Sequence, residues 1–169
     1  MWQPWATLCV APYLSIGRPP KVHETRAFAP RGPFPIHVVI HATKKWDSNN
    51  AWTSIDTIFR AALNGCGFLS GPTTKAGILG DPNLKPLPFG AIIGLATIVR
   101  VHTTEFLADS LDDADAALGD FTPGRFAWRF KNTVLLPEPI PFKGRQDVLY
   151  PLFQRDILDA IEQQLGAII

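Results

Sequence analysis

Cysteine is scarce in this chain. Cys9 and Cys66 are the only two in 169 residues. One disulfide between them stays open, but a disulfide framework and a Cys-x-x-Cys metal clip are excluded. A reduced, cytoplasmic compartment is the expectation. Long apolar runs are also missing. None approaches the roughly 18 residues of a membrane span, and Met1-Trp2-Gln3-Pro4-Trp5 lacks the basic stretch that opens a signal peptide. No membrane partner is expected. Nor is there an excess of one charge: sixteen Lys and Arg stand against fifteen Asp and Glu, a formal charge of +1. Taken whole, that balance gives no argument for nucleic acid. Charged residues at 18% and apolar residues at 46% exclude a disordered tail and a coiled coil. No internal repeat or dividing linker is visible, and the length suits one domain.

Turn-forming residues, by contrast, are plentiful. Thirteen glycines and sixteen prolines point to many turns and a β-rich architecture with short helices. The neutral total also hides a pattern. Residues 1–60 hold seven basic and three acidic groups, net +4; residues 61–120 hold three and seven, net −4; residues 121–169 hold six and five, net +1. Such a chain can still present one basic face.

The apolar periodicity predicts a short helix within 3–16, with Trp5, Leu8, Cys9 and Tyr13 on one side. Lys21 to Phe28 alternates and reads as a strand, with Glu24 and Arg26 on one face and His23, Thr25 and Ala27 on the other. Ile36 to Thr43 is β-branched and reads as a buried strand. Asn49-Asn50 offers a cap to a helix over 53–63, which Asn64-Gly65 stops. The Gly- and Pro-rich stretch 66–88 reads as a long inserted loop. Ala91 to Val101 should be the central strand. Asp112 to Leu118 suggests a helical turn. Residues 124–130 and 133–136 read as two strands joined by a hairpin at Lys131-Asn132, and 151–165 as a C-terminal helix packed on the same domain. The expected fold is α+β, with four to six strands in a closed or half-closed barrel and helices outside.

Several constellations resemble known sites and fail on spacing. His37 and His41 stand four apart, but on a strand that is about 13 Å, so they read as structural histidines. Gly65-Cys-Gly67-Phe-Leu-Ser-Gly71 follows a helix and lacks the Gly-Lys-Ser/Thr ending of a phosphate loop. Asp112, Asp113, Asp115 and Asp120 lack the Gly and distal Glu of a calcium loop and read as a solvated turn. No metal or cofactor is expected. Most of the five tryptophans read as core residues; Trp128, between Arg125 and Arg129, is the best candidate for a stacking platform for a base, though core packing is its favoured reading. Lys21-Val-His-Glu24-Thr-Arg26 gathers two cations and a carboxylate: an anion clamp with an acid/base group, or a surface ion-pair strip.

Four stretches in order carry a resemblance to a known family. They are Gln3-Pro4-Trp5-Ala6; Lys21-x-x-Glu24-x-Arg26; Arg31-Gly32-Pro33 followed by Ile36-His37; and Pro88-Phe-Gly90-Ala-Ile-Ile-Gly94 with Leu118-Gly-Asp-Phe-Thr-Pro-Gly-Arg-Phe-Ala-Trp128. Together they resemble the ASCH (activating signal cointegrator homology) family, with its G-x-K-x-x-E-x-R motif. The resemblance covers residues 1–150, apart from the 66–88 loop, and leaves out the C-terminal helix. Pro19 stands where the family has the motif glycine. The resemblance implies a PUA-like mixed β-barrel and a cleft suited to nucleic acid or a nucleobase. In the family's amidohydrolases of acylated cytidines, the site resembles Lys-x-x-Thr plus a later Glu. Here Glu24 takes the threonine's place, and residues 91–101 offer no such Glu.

The expected function is therefore binding of nucleic acid, RNA in preference, or of a nucleotide or nucleoside. Lys21 and Arg26, helped by Arg31, Lys44, Lys45, Arg125 and Arg145, would engage phosphate or a base edge, and Trp128 or Phe126 would stack. The alternative is a hydrolase acting on acylated cytidine or RNA. Lys21 and Glu24 would be its acid/base pair and Thr25 a candidate nucleophile. A third reading is a protein-interaction module built on the 66–88 loop or the C-terminal helix.

Overall fold

The computed structural model describes residues 1–69, 83–144 and 155–166. Four strands, β1 (His23–Arg26), β2 (Ile36–Ala42), β3 (Ala91–Thr103) and β4 (Phe126–Pro141), form one antiparallel sheet in the order β1-β4-β3-β2. The class is α+β. The sheet is not a closed barrel, because β1 and β2 each have one unpaired side, and its pairs are all antiparallel rather than mixed.

The predicted hairpin at Lys131-Asn132 does not exist. Asn132 takes a positive φ of 48° inside the continuous β4. Asn132 and Thr133 together oppose the single Ala96 on β3. Asparagine tolerates that conformation, so the local signal makes a β-bulge rather than a turn. The expected single helix over 53–63 is likewise two. Helix α2 (Ser48–Ile55) is capped by Asp47, whose side chain accepts from Asn50 N–H. Helix α3 (Thr57–Gly65) is capped by Asp56, which accepts from Ile58 N–H. Two N-cap carboxylates nine residues apart mark two helix starts.

The core lies on both sides of the long strands. Helix α1 (Trp5–Val10) crosses the sheet. Its Ala6, Cys9 and Val10 pack on Ile40, Ile93, Ile98, Trp128 and Phe130. Leu8 turns toward α3 and meets Ala62, Leu63 and Leu118. On the other side Ile161 of α6 (Arg155–Gly166) closes over Ile92, Leu136 and Ile140. Burial on both faces explains the unbroken apolar run of β3. Helix α1 sits close to the sheet because Gly94 has no side chain. A Cβ there would lie 2.5 Å from the Val134 carbonyl oxygen and 3.0 Å from Val10. Two short helices, α4 (Thr104–Leu107) and α5 (Asp113–Leu118), return the chain from β3 to β4. No helix among the described residues is long and apolar enough to cross a membrane.

Candidate functional site

Strand β1 pairs along β4, with His23 opposite Arg129, Glu24 opposite Trp128, Thr25 opposite Ala127 and Arg26 opposite Phe126. Side chains alternate along a strand. Glu24 and Arg26 therefore share a face with Trp128 and Phe126, while His23 and Thr25 share the other with Arg129.

The structure brings Lys21, Glu24 and Arg26 together as an ion chain. Lys21 Nζ lies 3.9 Å from Glu24 Oε2, and Arg26 Nη2 lies 2.8 Å from Glu24 Oε1. Lys21 is only 1% exposed, and its ammonium donates to the His23 carbonyl. Burial without a partner would be costly for this cation; the carbonyl and Glu24 supply the compensation. Arg26 is the half-exposed end of the chain. A cleft of about 310 Å³ opens over Lys21, lined also by Arg18, Phe130, Lys131, Asn132 and Thr133. Its lining has three cations and no carboxylate.

The other expected residues are scattered. Trp128 is buried, its indole N–H donates to the Phe28 carbonyl at 3.0 Å, and its ring meets Phe28 edge-on. It is a core residue, and its faces are not offered to a base. Phe126 is half-buried beside Arg26. Arg125 bridges Asp120 Oδ2 at 3.3 Å and the Thr25 carbonyl at 3.2 Å. Thr25 is buried on the face away from Glu24. Arg31 and Lys44 are exposed. Lys45 lies 4.7 Å over the Trp2 ring and 4.0 Å from Asp47 Oδ2. Arg145 and most of the 66–88 loop lie outside the described residues. Cys9 and Cys66 are buried, free thiols.

The acidic run 112–120 is where sequence reasoning failed most clearly. Asp115 is not part of a solvated turn. It is 1% exposed, and its Oδ1 accepts from Val22 N–H at 2.8 Å and His23 N–H at 3.1 Å. Its Oδ2 lies 2.5 Å from His23 Nδ1. Burial pushes its carboxyl pKa up. Hydrogen bonds from His23, with the nearby charge of His23 and Lys21, outweigh that effect and leave the pKa below the ordinary value. The available signal was Asp115 and Leu118 three apart on one side of a short helix. Of the histidines outside this pair, His37 Nδ1 lies 3.1 Å from Thr97 Oγ1 and His41 Nε2 donates to the Phe142 carbonyl at 3.0 Å.

A second cleft, of about 400 Å³, adjoins the first and shares Arg18, Pro19 and Val22 with it. His23, Asp115 and Arg129 stand in its wall, with apolar Ile16, Leu107 and Leu111. Among the described residues no group of three His, Cys, Asp or Glu is placed to hold a metal ion.

Comparison of the chain with known protein families and with curated proteins finds no match. Fold and site thus define a class: an α+β protein with an open antiparallel sheet and two adjoining clefts at the start of its first edge strand.

Proposed function

We propose that this chain is an ASCH-like, PUA-type domain that binds nucleic acid, RNA in preference, or a nucleotide. The observation that carries the reading is the cleft over Lys21, where Arg18, Lys21 and Lys131 meet with no carboxylate in the lining. Fixed cations of this kind suit phosphate. The Lys21–Glu24–Arg26 chain adds support, since it joins the three motif residues on which the family resemblance rests. The segment before α1 is tied to β2, one outer strand of the sheet. The Met1 amine donates to the His41 carbonyl at 2.6 Å, and Thr43 N–H, just past β2, donates to the Met1 carbonyl at 2.9 Å. With Trp128 in the core, Phe126 is the remaining stacking candidate.

The hydrolase reading has less support. Lys21 already donates to a backbone carbonyl, and the Thr25 side chain lies across the strand from Glu24.

Fluorescence anisotropy with single-stranded RNA tests the proposal. Log K should fall linearly with log salt, with a slope of about −0.7 per phosphate neutralised and so about −1.4 for the two exposed cations of the lining, Arg18 and Lys131. Arg18→Ala and Lys131→Ala should each reduce the slope by about 0.7. Binding that ignores salt, or slopes that neither variant moves, would refute it.

A further inference from the structure

The cleft between β1, α4 and α5 holds an arrangement that the RNA-binding reading does not use. His23 on β1 stands opposite Arg129 on β4, and Arg129 stands opposite Arg100 on β3. Opposed residues on antiparallel strands point to the same face, about 4.5–5.5 Å apart. Three groups able to carry positive charge thus form one row across three strands. Like charges placed directly opposite each other destabilise a sheet. Both arginines are exposed, and neither has an ion-pair partner among the described residues. The nearby carboxylates are committed elsewhere: Asp112 lies 3.8 Å from Arg18, and Asp115 holds His23. His102, two residues along β3 from Arg100, senses the same field. Its pKa is lowered, first by desolvation and then by Arg100, His23 and Arg129.

The deep end of the row supplies an independent observation. His23 is 8% exposed, and its ring forms part of the cleft wall. Its Nδ1 is given to Asp115, so Nε2 points away from that carboxylate. Nε2 is buried and has no hydrogen-bond partner. Buried polar atoms are nearly always partnered, so an unpartnered one beside a cleft marks the place of a ligand atom. With Nδ1 given to Asp115, Nε2 is the ring nitrogen left for a ligand. The rest of the lining is largely apolar, with Ile16, Pro20, Leu107 and Leu111, and its polar members include Ser110 and Asp112, the latter 3.8 Å from Arg18 of the same wall. The volume of about 400 Å³ falls in the range of small-molecule sites.

We propose that this cleft binds a small molecule bearing an oxyanion, phosphate or carboxylate, on an apolar body. Arg129 in the cleft wall faces the anion, Arg100 beside it on β3 adds charge at the rim, His23 Nε2 makes the deep polar contact, and Asp115 positions His23. The proposal does not depend on the RNA-binding reading.

Titration of the full chain with phenyl phosphate, benzoate, phenol and inorganic phosphate tests it, followed by calorimetry and by the ring ¹⁵N resonances of the histidines. Phenyl phosphate or benzoate should bind and shift the His23 ring signals. Phenol, without the charge, should bind at least about tenfold more weakly. The stronger of the two anionic ligands identifies phosphate or carboxylate as the group preferred. Arg129→Ala and Arg100→Ala are surface changes that leave the core intact, and each should weaken binding about tenfold. Lys131→Ala separates the two clefts: a loss confined to that variant places the anion over Lys21 and overturns this assignment. Equal affinity for phenol, absence of binding by all four probes at millimolar concentration, or binding that Arg129→Ala does not change would also overturn it.

Discussion

Asp115→Ala is the substitution with the largest consequence that the structure allows to be worked out. One side chain accepts from Val22 N–H, His23 N–H and His23 Nδ1, and so ties α5 to the start of β1. Truncation leaves three donors without their acceptor in a site where Asp115 itself is 1% exposed. Each orphaned buried donor costs about 1–3 kcal/mol. The adjoining cleft lets water reach part of the gap, which places the total near the cost of breaking a buried ion pair, about 3–5 kcal/mol. For a chain of this size 1 kcal/mol moves the melting temperature about 2–4 °C, so a fall of about 10 °C is expected. Asp115→Asn keeps an oxygen for the two amides and should cost only about 1–2 kcal/mol. The pH dependence has a definite sign. The folded pKa lies below the ordinary 3.8. The stabilisation is therefore complete above that value and is lost as pH falls through the lower, folded one. Thermal unfolding followed by circular dichroism, at pH 7 and across pH 2–5, reads all three quantities. A melting temperature for Asp115→Ala within about 1 °C of the parent, or an acid limb that the variant leaves unchanged, would refute the reasoning.

Two further expectations test the core. Gly94→Ala places a methyl 2.5 Å from the Val134 carbonyl oxygen and 3.0 Å from Val10, so α1 must move off the sheet. A loss of about 3 kcal/mol in urea unfolding is expected, and an unchanged midpoint would show that the contact gives way freely. Burial pushes the thiols of Cys9 and Cys66 up, Cys66 to about 12. Both should be silent to a disulfide reagent at pH 8 until denaturant is added; prompt reaction in the native state would contradict their placement.

Much of the layout was legible. Ala91 to Val101 announced the central strand, because burial on both faces leaves an apolar β-branched run; Ile36 to Thr43 announced a strand as well, but not a buried one, since β2 is a sheet edge in which only Ile40 and Ala42 are buried. Alternation in Lys21 to Phe28 correctly separated Glu24 and Arg26 from His23 and Thr25. The signals that misled were local ones whose outcome depended on neighbours. Asn132 is a turn residue by type, yet β3 continues past it, so the chain bulges and pairs on. Trp128 sits between arginines in sequence, yet its alternation with Arg129 on β4 sends it to the core face. Asp47 and Asp56 did carry the two-helix pattern, and only the Asn49-Asn50 pair drew the start of the helix elsewhere.

Sequence alone determined what depends on short range: an α+β class, the strand faces, the absence of a disulfide framework, and the clustering of basic groups in the first sixty residues. Tertiary structure alone decided what depends on distant partners. Asp115 reads as one more surface acid until a histidine 92 positions upstream is folded against it. His23, Arg129 and Arg100 share no local motif and become a row only when three strands align them. Periodicity records which face a residue takes, because that follows from backbone geometry within a few residues. Which group it meets on that face is set by the pairing of strands far apart in the chain, and no local pattern encodes it.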